Sequence, residues 1–541
     1  MFIIKSQKKR ALKLDEPLKH GSHKRPVTRR DFLAQGFFTG SATLLAPTML
    51  GSVLSQRAQA ALSPDMQNVA TQICQITAGR GKIPFICFDL AGGANIVGSN
   101  VLVGKEGGQM DFLSTQGYVK QGLAPTMLPN NATTNFVNTE LGLAFHSDSA
   151  FLRGILEKTS PATRANINGA VIAARSENDT GNNPHNPMYG LAKAGPGSLG
   201  VKGELLTLIG SQNSESGGNS MAPAMLMDPS LRPTKIDRTS DVTGLVDTGE
   251  LANLLSPADT VAVMESMARV SQSKLQLVNT QVTEDTEIKT RVRCGYVKTA
   301  DTIDKFSSPA ALNPAADPEI TGANGVFGTS FANGRFTDGE FEKTAAVMKL
   351  VVEGYAGAGT ISMGGFDYHT GERATGENRD LRAGRAMGAA LEFAARRGKP
   401  LMLYVFSDGS LSSNGRLDMS ADGRGKGEWT GDNQQVAAAF FLVYSPVGRP
   451  TLLNEAGIPP TRRQQLGYFN ANGDVVTASS PAANNVNLLV QTVLLNYMAL
   501  HGERTSFASA FPGQSLGGAA DAMIAMNPIV QANGNGGYTP I

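Results

Sequence analysis

The chain has 541 residues, with 48 Lys and Arg against 46 Asp and Glu, 41% hydrophobic residues, 61 glycines and three cysteines. Three cysteines cannot build a disulfide framework, and past residue 60 no uncharged apolar run reaches the length that crosses a bilayer. The net charge of +2 offers no basic footprint for nucleic acid.

That charge averages two unlike pieces. Residues 1–60 hold eleven basic and three acidic residues, a balance of +8, and leave 37 basic against 43 acidic residues behind them, a balance of -6. Within the basic piece, Arg29 and Arg30 are followed by Phe32 and Leu33, a moderately apolar stretch from Phe37 to Leu54, Arg57, and the small-residue site Ala58-Gln59-Ala60. This is the pattern of a twin-arginine signal peptide cut after Ala60; a basic arm before an ordinary helix has no need of the A-x-A spacing. The expected partner is the twin-arginine translocation machinery, and the expected location is the periplasm or beyond. Because that route carries folded proteins, a bound metal is a reasonable expectation. No C-x-x-C or Cys/His cluster is present, so a metal would fall to Asp and to the four histidines past residue 60. Cys74 and Cys294 can pair in an oxidising compartment, whereas Cys87 sits in an apolar run and reads as a buried thiol.

Residues 61–541 read as one α/β domain with strands and helices alternating between long Gly- and Asn-rich loops. Ile83–Leu90 is a continuous apolar run ending at Gly92-Gly93, as expected of a strand buried on both faces; Asp89, Asn95 and Ser99 lie at or beyond its carboxyl end. His146 precedes Ser147-Asp148-Ser149, which can cap a helix starting near Ala150. Ala170–Ala174 is a second strand, followed by His185 in the polar loop Gly181–Pro187, and Leu205–Ile209 is a third. Phe341, Ala345, Met348, Val352 and Tyr355 recur at helical spacing before the strand Gly359–Met363, which opens into Gly364-Gly365-Phe366-Asp367-Tyr368-His369. An Asp-x-His pair on an extended turn puts two metal-ligand types on one side. A helix over Leu381–Arg397 stops at Gly398, and the strand Leu401–Phe406 runs into Ser407-Asp408-Gly409-Ser410. Val486, Leu489, Val493 and Tyr497 mark a last helix, closed by His501. Ligands bind beyond the carboxyl ends of strands in open α/β sheets, and three strand ends here carry Asp89, Asp367 with His369, and Asp408. The competing reading is that these are turn and cap residues, chosen for conformation alone.

Other chemistries lack their signatures. There is no phosphate-binding G-x-x-x-x-G-K-[ST], no H-E-x-x-H and no sulfatase C/S-x-P-x-R. Gly513-Gln514-Ser515-Leu516-Gly517 spells a nucleophile elbow, but it follows Pro512 in a Gly-rich tail and no histidine comes after it.

Phe88-Asp89-Leu90-Ala91-Gly92-Gly93-Ala94-Asn95, Gly364–His369, Ser407–Ser410 with Asn414-Gly415, and Gly431-Asp432-Asn433 together resemble the conserved blocks of the bacterial DUF1501 family, exported proteins placed near the alkaline phosphatase and sulfatase fold. The resemblance covers most of the chain past residue 60. It implies a large, mostly parallel sheet sandwiched by helices, and a metal site drawn from His185, Asp367, His369, Asp408 and Asp432. It also implies departures: Asn95 stands where the family has Asp, Asp408 where it has Glu, and Asn433 where it has His, so the resemblance implies a site that holds one divalent ion rather than two, or stands empty. Two functions follow as expectations. One is a metal-dependent hydrolase of phosphate or sulfate esters, with Ser407 or Ser99 as candidate nucleophiles. The other is a non-catalytic periplasmic binding or assembly protein on the same frame.

Overall fold

A computed structural model describes residues 62–74, 79–129, 135–176, 183–245, 255–279, 281, 285–306, 312–455, 457–533 and 537–541. The signal motif at Arg29, Arg30, Phe32 and Leu33 and the cleavage site at Ala58 and Ala60 lie outside the described residues. No helix among the described residues is long and apolar enough to cross a membrane. Where a single domain over 61–541 is expected, the described residues divide into two compact units, one drawn from 62–74 and 255–306, the other from 79–245 and 312–541.

The smaller unit is helical. Pro257–Gln276 starts at Ser256, whose hydroxyl accepts from the Asp259 amide, and it packs with Asp285–Phe306 and with the short helical segment from Pro64 to Ile73. Val261, Met264 and Ala268 recur on one face and meet Val297, Ala300, Leu62, Met66, Val69 and Ala70 in a small core. Glu265 accepts the Ser63 amide at 2.6 Å and its hydroxyl at 2.7 Å, and a disulfide joins Cys74 to Cys294.

The larger unit is built on an eight-stranded sheet. Its strands are β1 (Phe85–Leu90), β2 (Ile167–Ala173), β3 (Leu206–Gly210), β4 (Thr234–Lys235), β5 (Ala356–Met363), β6 (Leu401–Phe406), β9 (Ala438–Tyr444) and β10 (Gln465–Leu466); β7 (Leu411–Asp418) and β8 (Lys426–Asp432) form a separate hairpin. The order across the sheet is β10-β2-β9-β6-β1-β5-β3-β4. The sheet is mixed rather than mostly parallel as expected: β9 runs antiparallel to both β6 and β2. The physical reason lies in the connection. A parallel neighbour needs a crossover, commonly a helix, but the chain between β6 and β9 makes the β7–β8 hairpin instead, and returns reversed beside β6.

Four helices matter for the site: α1 (Ala150–Lys158), α2 (Gly339–Val352), α3 (Arg373–Arg396) and α4 (Val486–Leu500). On one face of the sheet Phe85, Cys87, Met402, Tyr404, Phe441 and Val443 share a core with Leu489, Val493 and Tyr497 of α4. The alternate residues Ile86, Phe88, Leu403 and Val405 are equally buried on the opposite face, where Phe440 meets Phe151 of α1. Ser149 caps α1, its hydroxyl accepting from the Leu152 amide, as the Ser147-Asp148-Ser149 run implied. Helices α1 and α3 approach through glycine: a Cβ on Gly384 would lie 2.3 Å from the Phe151 carbonyl oxygen, and one on Gly154 2.5 Å from the Arg385 nitrogen. Gly384→Ala is therefore expected to cost about 1–3 kcal/mol by overpacking, despite the better helix propensity of alanine; a denaturant midpoint at or above wild type would contradict this.

Candidate metal centre

One group of three potential ligands converges among the described residues. Ligand atoms of Asp367, His369 and Asp432 all lie within 4.8 Å of one another. The His369 Nε2 is 2.8 Å from Asp367 Oδ1 and 3.8 Å from Asp432 Oδ2. Asp367 and His369 come from the turn after β5, and Asp432 is the last residue of β8, paired in register with Leu411. The Asp-x-His spacing thus delivers two donors to one side, and the hairpin that reverses β9 supplies the third. Two carboxylates and one imidazole suit a borderline divalent cation. The side chains of Asp367 and Asp432 are 57% and 48% exposed, which leaves the group open to solvent.

Among the other expected ligands, His185 and Asp408 stand apart from this group. His185 is buried and stacks flat on Phe406, 5.7 Å between centroids. Burial drives its imidazole pKa down to about 3, so it is neutral, and neither ring nitrogen has a hydrogen-bond partner. Asp408 is fully buried; its Oδ1 accepts from the Gly92 amide at 3.0 Å, and its carbonyl accepts from Asn183 Nδ2 at 2.8 Å. It fastens the turn after β1.

The two candidate nucleophiles are likewise engaged in building that turn. The Ser407 hydroxyl donates to the Leu90 carbonyl at 2.7 Å and accepts from the Ala94 amide at 2.9 Å. Ser99 Oγ accepts from Asn95 Nδ2, and both residues are buried. Asp89 is a clamp as well: Oδ2 accepts from the amides of Asn219 and Ser220 at 2.7 and 2.8 Å, and Oδ1 from the Ser220 hydroxyl at 3.0 Å. Burial, aided by the nearby Asp408 carboxylate, outweighs these donors and raises its pKa to about 7. Asn433 makes a turn, with its side-chain oxygen accepting from Gln435 N at 3.0 Å.

The two remaining histidines among the described residues are structural. His146 Nδ1 accepts from the Asp148 amide at 3.1 Å, and burial lowers its pKa to about 4. His501 ends α4 with Nε2 accepting from Ile83 N at 3.0 Å and Nδ1 against the Tyr497 carbonyl at 2.7 Å. Burial lowers its pKa to about 3, so it closes the helix as a neutral ring rather than as a cation on the dipole.

Arg379 had no signal in the sequence. It lies on α3, and its guanidinium packs over Gly365, where a Cβ would come within 2.8 Å of Cζ; Gly365 has φ +85°, a backbone state that suits glycine. Among the described residues Arg379 has no ion-pair partner, and it sits over the same turn that carries Asp367 and His369.

No family model, curated protein or solved structure matches the chain.

Proposed function

We propose that the chain is an exported, hydrolase-like protein that holds one divalent cation at Asp367, His369 and Asp432 and acts on phosphate or sulfate esters. The observation that carries this reading is the convergence of two carboxylates and one imidazole within 4.8 Å at an open strand end. A cation bound there would supply Lewis-acid polarisation of an ester oxygen. Arg379 offers a guanidinium for the anionic oxygens of the ester. With Ser407 and Ser99 committed to the turn after β1, water is the attacking group, and the leaving alcohol takes the proton that water gives up. The Cys74–Cys294 disulfide supports the exported location, since such bonds persist in oxidising compartments. The resemblance to DUF1501 proteins and the twin-arginine pattern support the same placement.

A second reading, a non-catalytic binding or assembly protein, draws on the turn-building roles of Asp408, Asn95 and Asn433. Metal analysis and turnover separate the two. The hydrolase reading expects one metal per chain in periplasmic protein, cleavage of aryl phosphates or aryl sulfates, and loss of both in His369→Ala. Stoichiometric metal without turnover on either ester class favours the binding protein, and absence of metal from wild type overturns the metal centre.

A further inference from the structure

The ligand carboxylates at the metal centre are half-exposed, so their own packing does not fix where they stand. Their separation is set by the register of two backbones: the turn running from Gly364 into α3, and strand β8. The tie between those backbones is a hydrogen bond from an exposed glycine, backed by a buried side-chain contact. The Gly371 amide, two residues past His369, donates to the Trp429 carbonyl at 2.7 Å, three residues before Asp432. Two residues on, the Arg373 guanidinium lies 4.8 Å from the centroid of the Trp429 ring, and Arg373 and Trp429 are each 1% exposed. Arg373 Nη1 also reaches the carbonyls of Gly122 and Gly427 at 3.4 Å. Gly122 completes the slot, because a Cβ there would come within 2.3 Å of the indole edge. Behind the stack, Glu377 accepts from Arg373 and from Lys426, the first residue of β8, whose Nζ lies 2.8 Å away and is fully buried.

We infer that Arg373 and Trp429 are positioning residues for the metal centre, locking the end of β8 to the first turn of α3 so that Asp432 faces His369. The inference rests on the reading of Asp367, His369 and Asp432 as a metal centre. A buried guanidinium stacked on an indole is a strong, directional contact, and its planar fork simultaneously reaches carbonyls on both sides of the slot. A contact that only stabilised the hairpin would leave the ligand set unchanged once the protein is folded. A positioning contact changes which ligands reach the ion.

Cobalt(II) provides the readout, since its visible absorption reports the ligand set directly. The proteins to compare are wild type, Asp432→Asn, Trp429→Leu, Trp429→Phe and Arg373→Met, each checked for folding by circular dichroism. Trp429→Leu and Arg373→Met are expected to weaken cobalt binding by about 10- to 100-fold, the range seen when groups supporting metal ligands are lost. Their cobalt spectra should shift toward that of Asp432→Asn, while Trp429→Phe, which keeps an aromatic face for the guanidinium, should retain most of the wild-type affinity and spectrum. If Trp429→Leu fails to fold, Arg373→Met carries the test, because it keeps the stem against the ring and leaves the Lys426–Glu377 pair in place. A folded Trp429→Leu or Arg373→Met with the wild-type spectrum overturns the inference, whatever its affinity. A wild-type protein that binds no cobalt removes the metal reading itself, and this inference with it.

Discussion

Glu377→Leu is expected to lower the unfolding free energy of the larger unit by about 3–5 kcal/mol, the usual cost of removing one partner from a buried ionic group. Glu377 is 4% exposed and accepts from three cations: Arg373, Lys426 at 2.8 Å and Arg153 at 2.8 Å. Leucine would leave Lys426, fully buried, to Asp148 alone and would strip Arg373 of its only carboxylate among the described residues. The pH dependence has a definite sign. Burial pushes the Glu377 pKa up, but the Arg373 and Lys426 charges outweigh it and hold the folded value below 4.5. Burial likewise pushes the Asp148 pKa up, but Arg424 and Lys426 overcome it and take the value down to about 2. For such depressed carboxylates the unfolded chain binds more protons, so their stabilisation is present above the unfolded pKa and is lost as pH falls from about 4.5 through 2 and below. Asp89 and Asp380 behave oppositely. Burial raises each to about 7 from 3.8, so stability is expected to fall as pH rises between those values. Urea titrations from pH 3 to pH 8 should show both limbs in wild type and a flattened acid limb in Glu377→Leu. A variant within about 1 kcal/mol of wild type at pH 7 would mean that the three cations are adequately solvated without Glu377.

Local chemistry was readable in the chain; what depended on distant partners was not. The apolar runs at Phe85–Leu90 and Leu401–Phe406 announce buried strands, and Ser149 announces the start of α1, because burial on both faces and capping leave marks within a few residues. The run Ala438–Tyr444 has the same apolar character, but composition carries no strand direction, so the reversal of β9 needed the β7–β8 hairpin to be seen. At the candidate metal centre, Asp367 and His369 were legible from their spacing and from the strand before them. Asp432 was reached through resemblance to a family block, and only the folded hairpin brings it to 3.8 Å from His369. Ser407 and Asp408 looked reactive because they follow a strand; their hydrogen bonds to the Leu90–Ala94 segment lie more than 300 residues away in the chain. His185 sits in a loop of Asn and Pro that gives no hint of burial against Phe406. The smaller unit was missed for a related reason: Val261, Met264 and Ala268 form a thin apolar stripe whose partners, Leu62 to Ala70, lie about two hundred residues earlier.

Breaking the Cys74–Cys294 disulfide, by reduction or by Cys294→Ser, is expected to unfold the smaller unit at a lower denaturant concentration while leaving the midpoint of the larger unit unchanged. The bond spans a separation of 220 residues and lies wholly within the smaller unit. A fully unfolded loop that long would make the cross-link worth about 5 kcal/mol; with residues 79–245 of it held in the folded larger unit the value is smaller, yet still a sizeable share of the stability of a small domain. The rest of that unit has little to replace it. Among the described residues nine buried ones, four of them from the 62–70 segment, make its core, and that segment is tied to Pro257–Gln276 by the Glu265–Ser63 bonds, an Arg269–Ser63 bond and the half-exposed Arg269–Asp65 pair. Once the cross-link is gone, the entropy of the freed segment is set against the burial of Leu62, Met66, Val69 and Ala70, roughly 1.5–3 kcal/mol for each large side chain. Cys87 does not interfere, because it is buried beside Thr360 in the other unit with its thiol pKa pushed up, so it stays protonated and inaccessible. Thiol titration should therefore count none in the native oxidised protein and two on mild reduction, with the third appearing only when the sheet unfolds. A tryptophan probe follows the larger unit alone, since Trp429 is the single tryptophan of the chain, and far-ultraviolet dichroism follows both. With reductant, the dichroism transition is expected to split into an early helical phase and a late phase that coincides with the tryptophan signal. A single dichroism transition with the same midpoint with and without reductant would show that the helical unit does not depend on its cross-link.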